Sequence, residues 1–230
     1  MGISIENINV SILLYADDIA LMAENEENLQ KMLNIMYSWC SKWRLAINTE
    51  KTQIIHFRKK ADKQSIHSFT FGELSLSYVS SYKYLGLVFH EFMSFSEGRK
   101  ALADSAGRAL GAILCKIKLC PDLGFATFTK LFDSMVSSIL FYAAGVWGSE
   151  EAPECNNIQS RALRCFLGVH KYTTKLAIEG DTGWDSCRTK QRCEIVRLWN
   201  RLAQLPEERL TKILFNWNKR GNHPWIRDVA

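Results

Sequence analysis

The sequence predicts an α+β chain: a β-hairpin, one helix and short antiparallel strands, followed by an all-helical region from about residue 96. Three observations carry this reading. Ile8, Val10, Ile12 and Leu14 alternate at period two ahead of a pair of acids, Asp17 and Asp18. Leu29, Met32, Leu33, Met36, Trp39, Cys40 and Trp43 then recur at helical spacing. Beyond residues 94–96 the strand period disappears and the apolar residues follow helical faces.

The first element is a hairpin over 8–23 with Asp17 and Asp18 at its tip. Adjacent carboxylates repel, and setting them beside apolar walls costs free energy. Chains that accept this cost often use the charge to hold a divalent cation. Asn25 can cap the following helix, and Glu26 and Glu27 suit the positive end of its dipole. That helix should end near Asn48. Short strands are expected at 53–57, 69–71, 74–79 and 82–89, with Gly72-Glu73 as a tight turn and Gly86 inside the last strand. Between them Arg58, Lys59, Lys60 and Lys63 form an exposed basic loop.

The helical part begins at 97–119, where Leu102, Ala106, Ala109, Leu110, Ile113, Leu114 and Ile117 share a face. Arg99, Lys100, Arg108, Lys116 and Lys118 lie mostly off it. Pro121 and Gly124 break the chain. An apolar helix over 125–147 should form the core, and a further helix is expected at 154–168. A stretch with Gly180 and Gly183 leads to a helix at 188–204, and a last one starts at Pro206.

Composition narrows the class. Of 230 residues 47% are hydrophobic and 23% charged, which suits a globular chain with a real core. Residues 1–96 carry 9 Lys/Arg against 10 Asp/Glu, and residues 97–230 carry 20 against 14. The excess positive charge belongs to the second part, where a polyanionic partner or a solvated helical surface both fit. Seven cysteines, none in a Cys-x-x-Cys pair, read as reduced thiols rather than a metal site. The start lacks a basic-then-apolar leader, and the run 135–147 is too short to cross a bilayer. An intracellular protein, cytoplasmic or nuclear and without a membrane partner, is expected. The five histidines form no ligand spacing, and the seven tryptophans sit largely at apolar helix positions that favour packing over base stacking.

Three segments stand in a meaningful order: Tyr15-Ala16-Asp17-Asp18, then Leu45-Ala46-Ile47-Asn48-Thr49-Glu50-Lys51-Thr52, then Tyr82-Lys83-Tyr84-Leu85-Gly86-Leu87. Together they resemble the C-terminal palm of reverse transcriptases, most closely those of non-LTR retrotransposons. The resemblance implies a partial polymerase palm over 1–95, a thumb-like helical region over 96–170 and a helical C-terminal extension over 171–230. It implies an RNA-directed DNA polymerase that extends a DNA primer on an RNA template with deoxynucleoside triphosphates. Two Mg²⁺ ions would serve that in-line phosphoryl transfer. Asp17 would ligate metal directly, with Asp18 in support. Tyr15 and Ala16 would lie against the primer end and incoming nucleotide. Lys51 matches a lysine proposed to protonate or neutralise the leaving pyrophosphate. Tyr84, Leu85 and Gly86 match a strand that grips the primer. Arg99, Lys100, Arg108, Lys116 and Lys118 would contact phosphates as thumb helices do.

A palm of this family also takes a carboxylate from an earlier strand, and fingers that bind the nucleotide. Only fourteen residues precede Tyr15, and Glu6 is the sole acid among them. The expectation is a fragment that is inactive alone, its hairpin edge and apolar face uncovered. The alternative is a non-catalytic nucleic-acid-binding or interaction remnant of a retroelement.

Overall fold

The computed structural model describes residues 1–117, 119, 120 and 122–229. The chain divides into two compact units, Met1–Ser94 and Phe95–Ala230. It is mixed α/β, with short antiparallel sheets in the first unit and helices in the second.

The first unit holds four separate two-stranded hairpins. β1 (Ile3–Ile5) pairs with β2 (Ile8–Val10), and β3 (Ile12–Tyr15) with β4 (Asp18–Leu21). The alternating run expected as one strand is thus divided at Ser11 between two hairpins. β5 (Phe69–Phe71) pairs with β6 (Leu74–Leu76) across Gly72, as expected, with Gly72 at φ +65°. The strand expected over 53–57 is reduced to a single bridge, Ile54 to Tyr78. β7 (Ser81–Tyr84) and β8 (Leu87–His90) form a fourth hairpin where one continuous strand was expected.

The helix α1 (Glu26–Trp43) begins where its cap predicts, with the Asn25 side chain accepting from the Asn28 N–H at 2.9 Å. It stops earlier than expected, because Arg44 turns left-handed at φ 54° and its N–H reaches back to Cys40 and Ser41. Leu33 and Cys40 pack with Ile54, Phe69, Phe71 and Leu76 to make the core of this unit. Gln30 joins helix to hairpin in both directions: its Oε1 accepts from the Thr70 N–H at 3.0 Å and its Nε2 donates to the Thr70 carbonyl at 2.9 Å. The expected apolar face is only partly covered. Trp39 is 50% exposed and Trp43 61%, so packing does not account for these two indoles.

In the second unit α2 (Ser96–Ile117) buries Ala103, Ala106, Leu110 and Ile113. The single helix expected over 125–147 is interrupted. It runs as α3 (Phe125–Phe132), a wide π turn over Asp133–Ser137, α4 (Ser138–Leu140) and, after left-handed Ala143, α5 (Ala144–Trp147). It is nevertheless core, since Phe128, Phe132, Val136, Leu140, Ala144 and Trp147 are all at most 1% exposed.

α6 (Pro153–Leu167) starts on its proline and ends at Gly168, φ +66°. α7 (Lys175–Thr182) covers the stretch with Gly180 and stops at Gly183. α8 (Cys187–Ala203) is capped by Ser186, which accepts from the Thr189 N–H at 3.1 Å. α9 (Leu210–Arg220) starts four residues after the expected Pro206, and α10 (Pro224–Val229) was not expected. Phe128 stacks between Phe166 and Trp184, at 4.5 and 5.9 Å. The break expected at Pro121 falls outside the described residues.

Candidate active site

The β3–β4 hairpin closes with Tyr15 opposite Asp18, leaving Ala16 and Asp17 as a two-residue loop. Ala16 sits at φ +51° while Asp17 does not share the positive sign. This is the sign pattern of a type II′ turn, whose first central position normally carries glycine. An alanine there costs about 1–2 kcal/mol of backbone strain. Asp17 and Asp18 are both exposed, and neither side chain makes a hydrogen bond or ion pair among the described residues. Their mutual repulsion is therefore screened by water, and both are free to accept a cation. The walls beside them are uncovered: Leu14 and Tyr15 are each 65% exposed, and Ile12, Leu13 and Ile19 are exposed as well.

Hard divalent cations take oxygen donors, so the two carboxylates fit such an ion. They supply part of a donor set. Among the described residues no group of three His, Cys, Asp or Glu side chains is arranged to hold a metal ion.

The second segment is a turn fixed by its own side chains. The Asn48 carbonyl accepts from the N–H groups of Lys51 and Thr52 at 3.2 and 3.0 Å. The Asn48 Oδ1 also accepts from the Lys51 N–H at 3.1 Å, and the Thr52 hydroxyl donates back to Asn48 at 2.9 Å. This explains why Asn and Thr flank the lysine. The Lys51 side chain is exposed and pairs with no acid among the described residues, Asp17 and Asp18 included.

The third segment is tied to the second, because the Tyr82 hydroxyl donates to the Lys51 carbonyl at 3.2 Å. Its glycine does not lie inside a strand. Tyr84 pairs with Leu87, and Leu85 (φ +47°) and Gly86 (φ +86°) form a turn left-handed at both central residues, the type I′ pattern. The local signal was available as a small Leu-Gly pair between two apolar runs, but leucine at such a position is rare enough to hide it.

The basic candidates divide. Lys100, Arg108 and Lys116 are exposed on α2, with Arg108 donating to the Ser105 hydroxyl at 2.9 Å. Arg99 stands apart from them: it is 8% exposed and ion-paired with Glu150, a structural cation facing inward. Lys118 lies outside the described residues. All seven cysteines are free thiols, and burial pushes Cys155 up to about 12 and Cys187 up to about 11. Among the described residues no helix is long and apolar enough to cross a membrane.

Residues 2–89 match the family described as reverse transcriptase (RNA-dependent DNA polymerase). The chain is 27% identical over 75% of its length to the RNA-directed DNA polymerase from mobile element jockey of Drosophila funebris, covering 20% of that protein. It is 24% identical over 73% of its length to the probable RNA-directed DNA polymerase from transposon BS of Drosophila melanogaster, covering 19% of it. It is also 24% identical over 84% of its length to a retrovirus-related Pol polyprotein from type-1 retrotransposable element R1 of Nasonia vitripennis, covering 63%. The chain thus spans about a fifth of the first two relatives. No solved structure matches it. Residues 2–89 are therefore similar to reverse transcriptases, and the chain as a whole is similar to the RNA-directed DNA polymerases of non-LTR retrotransposons.

Proposed function

We propose that this chain is the C-terminal palm and thumb portion of an RNA-directed DNA polymerase that extends a DNA primer on an RNA template. The observation that carries the reading is the pair of free, exposed carboxylates at a two-residue hairpin tip within the matched residues. The reaction is an in-line displacement. The primer 3′-hydroxyl oxygen bonds to the α-phosphorus of a deoxynucleoside triphosphate, and pyrophosphate departs.

Asp17, supported by Asp18, would hold Mg²⁺. Bound there, the ion supplies the Lewis acidity that activates the hydroxyl and steadies the leaving group. Tyr15 and Ala16 lie against the primer end and the incoming nucleotide. Lys51 donates a proton to, or neutralises, the pyrophosphate. Tyr84, Leu85 and Gly86 bring a hairpin backbone against the primer. Lys100, Arg108, Lys116 and Lys118 contact duplex phosphates, with Arg99 holding their helix in place.

Two carboxylates are fewer donors than a two-metal site uses. The 230-residue chain by itself is therefore expected not to polymerise. Primer extension on an RNA template with Mg²⁺ tests this, and templated synthesis abolished by Asp17→Asn would overturn it. Metal binding is tested separately by Mn²⁺ titration followed by electron paramagnetic resonance. Binding should weaken in Asp17→Asn, and equal binding in a D17N/D18N double variant would overturn the site assignment. A second reading, a nucleic-acid-binding module without catalysis, draws on the excess of 20 basic over 14 acidic residues in 97–230. RNA binding without Mn²⁺ binding would favour it.

A further inference from the structure

The basic run at 58–63 is not a loose solvated turn. It is folded back on itself and fastened to the chain after β8. The Arg58 N–H donates to the Glu91 carbonyl at 2.9 Å, and its guanidinium pairs with the Glu91 carboxylate, also at 2.9 Å. Arg58 Nη1 donates to the Asp62 carbonyl at 2.9 Å, and the Asp62 N–H donates to the Lys59 carbonyl at 3.0 Å. The Arg58 guanidinium lies 4.7 Å over the Phe92 ring. With both sides of the loop fixed, an open hollow of about 620 Å³ forms, its lining including Arg58, Lys59, Lys60, Asp62, Phe92 and Met93.

The hollow has two chemically different parts. Lys59, Lys60 and Lys63 are exposed and pair with no acid among the described residues. Arg58 is neutralised by Glu91, so the lysines supply the free charge. The other part is apolar: Met93, held at φ +57°, is 63% exposed beside the Phe92 ring, over which the Arg58 guanidinium and the Lys60 ammonium lie at 4.7 and 6.0 Å. A cationic edge beside a flat apolar wall suits a phosphate joined to an aromatic ring. A duplex hides its ring faces by stacking, whereas a single strand presents them.

We propose that this hollow binds one nucleotide unit of a single-stranded nucleic acid, its phosphate on Lys59 and Lys60 and its base against Phe92 and Met93. The choice of a nucleic acid rests on the polymerase reading above. The hollow itself is assigned from its own residues.

The test is fluorescence anisotropy of a labelled single-stranded RNA with the full chain, in EDTA, across a range of KCl. Each phosphate contact with a single strand contributes about 0.7 to the slope of log affinity against log salt. The K59A/K60A double variant should lower that slope by about 0.7, one phosphate's share, and weaken binding. Phe92→Leu should weaken binding by about fivefold or more and leave the slope unchanged. Circular dichroism melts show that each variant is folded. An unchanged slope in K59A/K60A overturns the hollow while leaving the polymerase reading intact. An equal effect of K59A/K60A on duplex RNA binding, full competition by an acidic peptide, or no RNA binding by the wild-type chain also overturns it. The polymerase reading is judged independently by the Mn²⁺ titration.

Discussion

Replacing Gln30 should unfasten α1 from the β5–β6 hairpin. Its amide acts on Thr70 as a neighbouring strand would, accepting from the N–H at 3.0 Å and donating to the carbonyl at 2.9 Å. Both bonds are partly buried, and the same Nε2 donates to Asn34 Oδ1 at 2.8 Å. A hydrogen bond of this kind contributes about 0.5–1.5 kcal/mol net, and an unpaired group beneath the helix costs more where water cannot enter. Gln30→Ala should therefore destabilise the first unit by about 1–3 kcal/mol. For a unit of this size that lowers the melting temperature by roughly 4–8 °C per kcal/mol. Gln30→Glu is the sharper test. It keeps the acceptor for the Thr70 N–H but sets a carboxylate oxygen against the Thr70 carbonyl. It should be at least as damaging as alanine near neutral pH and partly recover in acid, as the carboxyl becomes a donor. Thermal and urea unfolding followed by circular dichroism measure both variants. A Gln30→Glu protein as stable as wild type at neutral pH would refute the two-way bond.

Cys155 and Cys187, raised to about 12 and 11 by burial, should react with a thiol reagent at mild pH far more slowly than exposed Cys115, Cys120, Cys165 and Cys193. Their raised values have a stability consequence. The stabilisation is complete below the unfolded thiol value of about 8.5 and is lost as pH rises through the folded values, so unfolding midpoints should fall above about pH 9. A midpoint that does not fall between pH 8 and 11 (roughly the span of the two states' values) would count against this. Glu150→Gln removes the charge paired with buried Arg99. Because Glu150 is half exposed, the expected loss is about 1–3 kcal/mol, and chemical denaturation showing no change would contradict the pairing.

The sequence made some features legible because they rest on local chemistry. Asn25, by its side chain, and Gly72, by its backbone freedom, do what the pattern assigned to them. Features decided by what lies opposite were not legible. Helical spacing puts Trp39 and Trp43 near Met32 and Cys40, but it cannot say how far along the helix the cover extends. Arg99 looked like its neighbour Lys100 until Glu150 was seen beside it. The break at 141–143 carries no glycine or proline, only an alanine at φ +54°. The Leu85-Gly86 turn was masked for a related reason: leucine is an unusual occupant of a left-handed position. At the tip of β3–β4 the acids were visible from the first, while their freedom from partners was not.

The wide turn at Asp133–Ser137 solves a problem of angular phase. Phe128, Phe132, Val136 and Leu140 recur every four residues, and all are fully buried. In a regular helix of 3.6 residues per turn, each step of four overshoots by about 40°, so three steps would swing Leu140 about 120° from Phe128. A π turn, at roughly 4.4 residues per turn, rotates less per residue and returns about 90° of that drift across its five residues. The segment is thereby tuned in length as well as in composition. Removing one residue there, such as exposed Met135, would let the turn close as a regular helix, four residues at about 100° replacing five at about 82°, with the downstream phase nearly kept. Inserting one would instead rotate Leu140, Ala144 and Trp147 by roughly 80–100° off the core. Substitution at that same position leaves the phase untouched.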